Sequence, residues 1–210
     1  MLITEIFKSI QGESSYAGLP CSFIRTTGCN LRCVWCDTEY AFHGGKEMTI
    51  DEVLQAIESH HCELVEVTGG EPLLQQDVPE LCARLLDRKH KVLIETSGAQ
   101  DISVLPEKVI KIMDVKCPES GMMEMMNWKN LDHLSTFDEI KFVINSRRDY
   151  DWAVEILFKY QLPEKNLVLF SPVYRKMEPE KLAEWILQDN LPVRFQIQLH
   201  KVLWGETPGR

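Results

Sequence analysis

Three cysteines are close enough in sequence to hold one metal centre. Cys29, Cys33 and Cys36 form a C-x3-C-x2-C pattern within eight residues, directly after a predicted strand. Because the amino terminus lacks the pattern of a secretory signal, we expect these cysteines to remain reduced thiols. Three thiolates on one loop suit an iron–sulfur cluster, in which each cysteine binds one iron. We therefore predict a four-iron cluster whose fourth iron is open to another ligand.

Structural zinc is the alternative for the same loop. Zinc needs four closed ligands, so a distant residue such as His43 or Cys117 would have to complete the set. His43 lies seven positions after Cys36, and Cys117 is predicted on a separate element. Cys62 and Cys82 are on further elements, and we expect them to be replaceable, like Cys117.

A second motif, Gly69-Gly70-Glu71-Pro72, follows the next buried strand. A glycine pair allows main chain to approach a ligand closely, although alone it could be only a tight turn. In a parallel sheet, loops at the carboxyl ends of the strands share one edge, so we expect this motif and the cysteine loop to face one pocket.

Apolar β-branched segments alternate with amphipathic segments along the chain, which predicts parallel strands connected by helices. We expect the region from Pro118 to Thr136 to be loop. The predicted fold is α/β, an incomplete TIM-like barrel with trimmed helices, in one domain over residues 1–210. The predicted strands are Leu2–Ile10, Cys21–Thr27, Leu64–Thr68, Lys91–Glu95, Val109–Val115, Glu139–Ile144, Asn166–Ser171 and Val193–Leu199. The predicted helices are Thr49–His60, Asp77–Arg88, Tyr150–Tyr160 and Pro179–Asp189.

Composition excludes several classes of protein. The formal net charge of −9 argues against a broad nucleic-acid-binding surface. No apolar stretch approaches the roughly 20 residues of a membrane-spanning helix. We therefore expect a cytoplasmic protein with no nucleic-acid or membrane partner.

The cysteine loop, with Trp35 before its last cysteine, and the Gly-Gly-Glu-Pro motif resemble those of the radical S-adenosylmethionine enzymes. The resemblance implies that the open iron binds the amino and carboxylate groups of S-adenosylmethionine. One electron then cleaves this cofactor to methionine and a 5′-deoxyadenosyl radical. The main chain of the motif containing Gly69, Gly70 and Glu71 would bind the methionine amino group.

Three further motifs are Gln11-Gly12-Glu13, Cys36-Asp37-Thr38 and Leu199-His200-Lys201. Together with Glu95-Thr96-Ser97-Gly98, they resemble one family within these enzymes, the 7-carboxy-7-deazaguanine synthases of queuosine and 7-deazapurine biosynthesis. The resemblance covers Phe7 to Lys201. It implies a carbon–nitrogen lyase that contracts the ring of 6-carboxy-5,6,7,8-tetrahydropterin to 7-carboxy-7-deazaguanine, with loss of ammonia and regeneration of S-adenosylmethionine. It also implies a homodimer, an electron donor such as flavodoxin or ferredoxin, and Mg²⁺ with Thr38 as its protein ligand.

The resemblance also assigns residues to the two small molecules. The pterin would contact the main chain of Ile10, Gln11 and Gly12 and the side chain of Thr68, and its carboxylate would meet Arg25. The S-adenosylmethionine side would be lined by Gly70, Ser97, Asp114, Lys116 and Ser171. Arg25 could instead pair with an acidic neighbour, and Asp114 and Lys116 could pair with each other. Residues 204–210 extend beyond the His-Lys segment, which leaves any terminal contact open.

Hydrogen-bond chemistry suggests two further pterin contacts. The 2-amino group and a ring N–H are donors on one edge of a pterin, so a buried carboxylate there can accept from both. Glu13 fits that role, and His200 would add a polar wall from the closing strand.

Two other functions use the same motifs. A glycyl-radical activating enzyme shares the cysteine spacing, but it would need a protein-docking face in place of a pterin pocket. A zinc-stabilised binding module would need no catalysis, and iron and sulfide analysis would distinguish it.

Overall fold

The computed structural model describes residues 1–209. Its strands are β1 (Leu2–Ile10), β2 (Pro20–Thr26), β3 (Lys46–Glu47), β4 (Leu64–Gly69), β5 (Lys91–Thr96), β6 (Ile110–Val115), β7 (Glu139–Ile144), β8 (Leu167–Pro172) and β9 (Arg194–Phe195). Its α-helices are α1 (Ile50–Glu58), α2 (Val78–Asp87), α3 (Arg147–Lys159), α4 (Leu162–Lys165), α5 (Pro179–Gln188) and α6 (Leu199–Trp204).

All the strands form one nine-stranded sheet in the order β3-β1-β2-β4-β5-β6-β7-β8-β9. Every neighbouring pair from β2 to β9 is parallel, whereas β1 runs antiparallel to β2 and β3. The order ends at β3 on one side and β9 on the other, so over residues 1–209 the sheet is open. This is the partial barrel that the alternation of segments predicts.

The helices pack on the outer face of the sheet because alternate strand residues are apolar on that side. α1 and α2 bury their apolar stripes against β4 and β5, where Val65 and Val67 point outward. α3 and α5 cover β7 and β8, where Phe142 and Phe170 do the same. α1 begins as its sequence predicts, with a capping box in which Thr49 and Glu52 satisfy each other's backbone N–H groups.

The inner face of the sheet has two layers of different character. Near the amino ends of the strands the layer is apolar and is formed by Cys21, Phe23, Leu64, Leu93 and Ile112. The next inward positions on β4 to β7 are charged. They are Glu66, Glu95, Asp114 and Lys141, and all four line a cavity. The strands therefore carry ionisable groups in the interior of the barrel as well as at its mouth.

The carboxyl-terminal part of the chain departs from the prediction. In place of a closing strand over Val193–Leu199, β9 pairs with β8 at only two residues, Arg194 and Phe195. The backbone N–H of Gln196 still donates to Phe170, and the chain leaves the sheet after it, where the side chains of Gln196 and Gln198 donate hydrogen bonds to Ser14 and Glu13. His200 consequently lies on α6, and its predicted place on a strand is wrong.

In the rest of the described chain, the differences between the predicted and the observed elements are small. The region from Pro118 to Thr136 contains short 3-10 helices, and the two-residue strand β3 has no apolar pattern that could have predicted it. α3 begins at Arg147, three residues before the predicted start. None of the described helices has the length and apolarity needed to cross a bilayer.

Candidate functional site

One cavity of about 470 Å³ opens at the carboxyl ends of the parallel strands. The cysteine loop, the loop after β1, the Gly-Gly motif and α6 all contribute to its lining. Of the residues with predicted roles, the lining includes Ile10, Gln11, Gly12, Glu13, Arg25, Cys29, Cys33, Trp35, Cys36, Thr38, Thr68, Gly69, Gly70, Ser97, Asp114, Lys116 and His200. Motifs that are far apart in sequence therefore meet at one site.

The cysteine loop presents three free thiols to this cavity. Cys29, Cys33 and Cys36 are each partly exposed, whereas the other cysteines, Cys21, Cys62, Cys82 and Cys117, are buried. Burial raises the pKa of Cys33, while the nearby Lys116 ammonium acts in the opposite direction. Three thiols on one half-buried loop, beside a cation that favours thiolates, fit an iron–sulfur cluster with one open iron.

The residues available for a zinc site do not come together. His43 is exposed, and Cys117 is buried, with burial and then Asp149 raising the pKa of its thiol well above the usual range. Within residues 1–209, no three His, Cys, Asp or Glu side chains are close enough to bind a single ion. This spacing suits a cluster, in which each cysteine binds a different iron, better than a single zinc ion.

The Gly69-Gly70 pair makes room for the cysteine loop. A Cβ at Gly70 would lie 2.3 Å from the carbonyl oxygen of Gly28 and 2.7 Å from the Cβ of Cys29. The N–H of Glu71 donates to the same carbonyl at 2.9 Å. The expected reason for the glycines was approach to a ligand, but the structure shows that Gly70 also lets two loops of the site pack on each other, while Gly69 packs closely on Thr26 of β2.

Glu71 joins the Gly-Gly motif to the loop after β5. Its side chain is fully buried, and its carboxylate accepts hydrogen bonds from the Thr96 hydroxyl and from the N–H and hydroxyl of Ser97, at 2.6–2.8 Å. Because these bonds occupy the carboxylate, Glu71 positions the two loops and is not part of the cavity lining. Ser171 is buried too and lies outside the lining.

Helix α6 connects the loop after β1 to the cysteine loop. The N–H of Leu199 donates to the carbonyl of Gly12 at 2.8 Å, and Lys201 forms an ion pair with Asp37. A Cβ at Gly12 would lie 2.0 Å from the His200 Nδ1, so only glycine leaves space for this ring. Gly205 to Gly209 also line the cavity, so the described part of the tail reaches the site.

The charged layer at the base of the cavity is organised around Lys141. Its Nζ lies 2.7 Å from Glu13 and 3.5 Å from Asp114, and it also forms an ion pair with Glu95. The Lys141 side chain is only 3% exposed. Burial alone would raise the pKa of Glu13, but the Lys141 ammonium is the main cause that outweighs it and lowers that pKa to about 2. Glu13 is therefore an ionised carboxylate.

Arg25 and Asp114 each combine two predicted roles. The Nε of Arg25 donates to Glu5 at 2.7 Å, which is the acidic-neighbour pairing, yet Arg25 also lines the cavity. Asp114 pairs with Lys116 at 2.9 Å, while its Oδ1 is buried without a partner in the described residues. An unsatisfied buried oxygen is costly unless a ligand donates to it. The two ion pairs therefore leave ligand-binding capacity at the cavity.

Two groups at the site were missed by sequence reasoning, Glu66 and Lys141. Site residues were expected at the ends of the strands, so charged residues inside the strands were missed. The signal was present, because a strand such as Val65-Glu66-Val67 places one carboxyl between two residues of the apolar outer face. An ionisable group at an inward position of a buried strand needs a partner or a ligand.

Comparisons with known proteins agree with this geometry. The sequence pattern of the Radical SAM superfamily matches residues 23–187, and the chain belongs to that superfamily. A 7-carboxy-7-deazaguanine synthase from Koribacter versatilis (strain Ellin345) is 47% identical, with 100% of both chains covered. Another, from Chlorobaculum tepidum, is 45% identical over 97% of this chain and 94% of its own. Within the superfamily, the chain belongs to the family of 7-carboxy-7-deazaguanine synthases.

A solved structure supports the fold independently. The crystal structure of QueE from Escherichia coli superposes with a TM-score of 0.79 over 95% of this chain and 94% of that one, at 23% identity. The two proteins therefore share the partial barrel, although 23% identity alone would not show a common fold.

Replacing Cys33 with Ala should abolish the absorbance of the reconstituted cluster, because the loop then offers only two thiolates. Cys82→Ala is the matched control, since Cys82 is buried in α2 and packs in the outer core. The Cys82→Ala protein should be less stable than the wild type but should keep its iron and sulfide. A Cys33→Ala protein with full iron content, or a Cys82→Ala protein without iron, would contradict the assignment.

Replacing Lys141 with Met should strongly destabilise the protein, by about 3–5 kcal/mol near neutral pH, because buried carboxylates lose their cation. The unpaired carboxyls then have folded-state pKa values above their unfolded values. The loss of folding stability is therefore largest at a pH above those pKa values. It shrinks as the pH is lowered and the carboxyl groups take up protons.

Urea unfolding near neutral pH and at mildly acidic pH would measure this effect. Lys176→Met is the control, because Lys176 lines the cavity but is exposed. It should change the free energy of unfolding by less than about 0.5 kcal/mol. If the loss of unfolding free energy in Lys141→Met did not shrink on acidification, the charge-pairing explanation would be wrong.

Proposed function

We propose that this protein is a lyase that converts 6-carboxy-5,6,7,8-tetrahydropterin to 7-carboxy-7-deazaguanine with release of ammonia. The main supporting observation is that three thiols and the polar set Glu13, Arg25 and His200 line the same cavity. The relatives that carry the name of this activity are up to 47% identical over the whole chain. Substrate and product differ by one ammonia, so no other reactant is needed for balance.

The polar set matches the two ends of the pterin. The Arg25 side chain keeps N–H groups that Glu5 does not use, and a guanidinium binds a carboxylate through two parallel hydrogen bonds. Glu13 remains ionised beside Lys141 and accepts from the 2-amino and ring N–H groups. Burial lowers the pKa of His200, so its ring is a neutral polar wall near pH 7.

The cofactor side of the cavity is formed by different residues. When bound by Cys29, Cys33 and Cys36, the four-iron cluster supplies the electron that cleaves S-adenosylmethionine. Gly70 and Asp114 line the cavity, where the main chain of Gly70 and the carboxylate of Asp114 would accept from cofactor N–H and O–H groups. Ser97 lines the cavity but donates its hydroxyl to Glu71, and a role for Ser171 rests on the resemblance alone.

Further parts of the proposal rest on the resemblance and the chemistry of the groups. Thr38 has its hydroxyl 3.7 Å from the Cys36 Sγ, where it would be a protein ligand of Mg²⁺, with substrate and water completing the shell. A flavodoxin or ferredoxin would supply electrons. A homodimer, a single domain over residues 1–210 and a cytoplasmic location complete the proposal, and the seven free cysteines suit a reducing compartment.

Anaerobic incubation of the reconstituted protein with reductant, S-adenosylmethionine and the carboxytetrahydropterin should yield 7-carboxy-7-deazaguanine, identified by its mass. Arg25→Ala should weaken substrate affinity by roughly tenfold to a hundredfold, since it removes a charge-assisted partner of the carboxylate. Its iron content should stay full, which serves as the internal control. No deazaguanine product from the wild-type protein would refute the proposed function.

After chelation, added Mg²⁺ should raise turnover of the wild-type protein, and Thr38→Ala should reduce that response because the side-chain oxygen is lost. Thr38→Ser keeps the hydroxyl and should retain the response. Equal turnover with and without Mg²⁺ after chelation would argue against a metal at Thr38.

A further inference from the structure

Glu66 is an ionisable group of the cavity to which the proposed function gives no role. It lies in the middle of β4, is 2% exposed and lines the cavity. Its neighbours in sequence, Val65 and Val67, belong to the outer apolar core. A carboxyl group at such a position is costly unless it serves a ligand or a partner.

Hydrogen bonds determine which atom of Glu66 is available to a ligand. The backbone N–H of Glu13 donates to the Gln11 Oε1 at 2.7 Å, so the amide nitrogen of Gln11 must point the other way. That nitrogen donates to the Glu66 Oε2 at 2.8 Å. Among residues 1–209, Gln11 thus occupies Oε2, and Oε1 is left for a molecule in the cavity.

The groups around Glu66 are mostly acidic. Glu95 faces it from β5, Glu13 from the loop after β1 and the Cys21 thiol from β2. The Lys141 ammonium on β7 is engaged by Glu13, Glu95 and Asp114. Arg25 on β2 is paired with Glu5. Burial, and next the charge of Glu95, raise the pKa of Glu66 to about 8.

The proposed substrate has a matching edge. Along one side of a pterin, the 2-amino group and a ring N–H are donors, and the adjacent lactam oxygen is an acceptor. The Glu13 Oε1 accepts from Gln198 and its Oε2 from Lys141, and the second lone pair of each oxygen can accept from the two pterin donors. The lactam oxygen then needs a donor beside Glu13. Gln11 accepts from the backbone N–H of Glu13 and donates to the Glu66 carboxylate, so it ties Glu66 to the loop that carries Glu13.

We infer that Glu66 is a specificity-determining residue, whose protonated carboxyl donates a hydrogen bond to the lactam oxygen of the pterin. This inference rests on the proposed function. It assigns Glu13 and Glu66 opposite roles, one as the ionised acceptor and the other as the neutral donor, so that together they recognise the full donor–donor–acceptor edge.

Binding of 7-carboxy-7-deazaguanine tests the inference without turnover, because this product has the same amino-lactam edge. Calorimetry would use the anaerobic holoenzyme with S-adenosylmethionine, at about pH 7 and about pH 9, on either side of the Glu66 pKa. The variants are Glu66→Gln and Glu66→Met. In Glu66→Gln, the new amide oxygen must accept from Gln11, which turns its NH₂ group toward the cavity.

Wild-type affinity should fall about tenfold between the two pH values, because ionised Glu66 cannot donate. Glu66→Gln should keep affinity within about threefold at the lower pH and should not show this fall, since an amide donates but does not titrate there. Glu66→Met should bind about tenfold more weakly at the lower pH. A 2,6-diamino analogue has an amino group in place of the lactam oxygen and no ring N–H, so it loses a donor to Glu13 in every variant, but the wild type should discriminate against it more strongly than Glu66→Met does.

Glu139→Gln is the matched control. Glu139 is another buried carboxyl of the interior, but it is bonded to Ser15 and lies outside the cavity lining, so this variant should retain the wild-type pH profile. Equal losses in Glu66→Gln and Glu66→Met, with iron content and folding intact, would overturn the inference, as would a wild-type affinity that does not change with pH. A wild type that neither binds this product nor forms it from the carboxytetrahydropterin would refute the proposed function itself.

Discussion

The ammonium of Lys141 is the constraint around which the site is arranged. Parallel strands normally bury apolar residues on both faces, yet here adjacent strands carry Glu66, Glu95 and Asp114 toward the interior. Lys141 on β7 compensates Asp114 and Glu95, and also Glu13 from the loop after β1. Without that cation the carboxyls could not all be tolerated in the interior. The polar base of the cavity therefore depends on the position of one side chain.

Above this charged base, the loops at the carboxyl ends of the strands form the rim of the cavity, and their motifs mainly hold one another in place. Gly70 lets the Gly-Gly motif pack on the start of the cysteine loop, and Gly12 leaves room for His200. Glu71 links two strand ends through buried hydrogen bonds. The thiols and charged groups of the site are thus supported by glycines and carboxyls that touch other protein groups. Such mutual support is how a reactive centre is kept in a fixed geometry.

Much of the fold and of the rim follows from local sequence pattern. The alternation of segments predicts the parallel sheet, and the spacing of Cys29, Cys33 and Cys36 predicts the loop that carries them. The place of His200 could not be predicted, because it depends on Gln196 and Gln198 bonding to Ser14 and Glu13, far away in sequence. Lys141 was also missed, since a lysine inside a strand has meaning only once the strands beside it are known.

The contacts of the carboxyl-terminal segment have a consequence for folding. Gln196 to Ser14, Gln198 to Glu13 and Lys201 to Asp37 join residues separated by 182, 185 and 164 positions. Closing a loop of that length costs considerable chain entropy, which is recovered only after the sheet has formed and brought the ends together. We therefore expect the wall that includes α6 to be the last part of the cavity to form. We also expect this segment to fray more easily than the sheet, because α6 is short and buries only Lys201, so ligands could enter while the sheet stays intact.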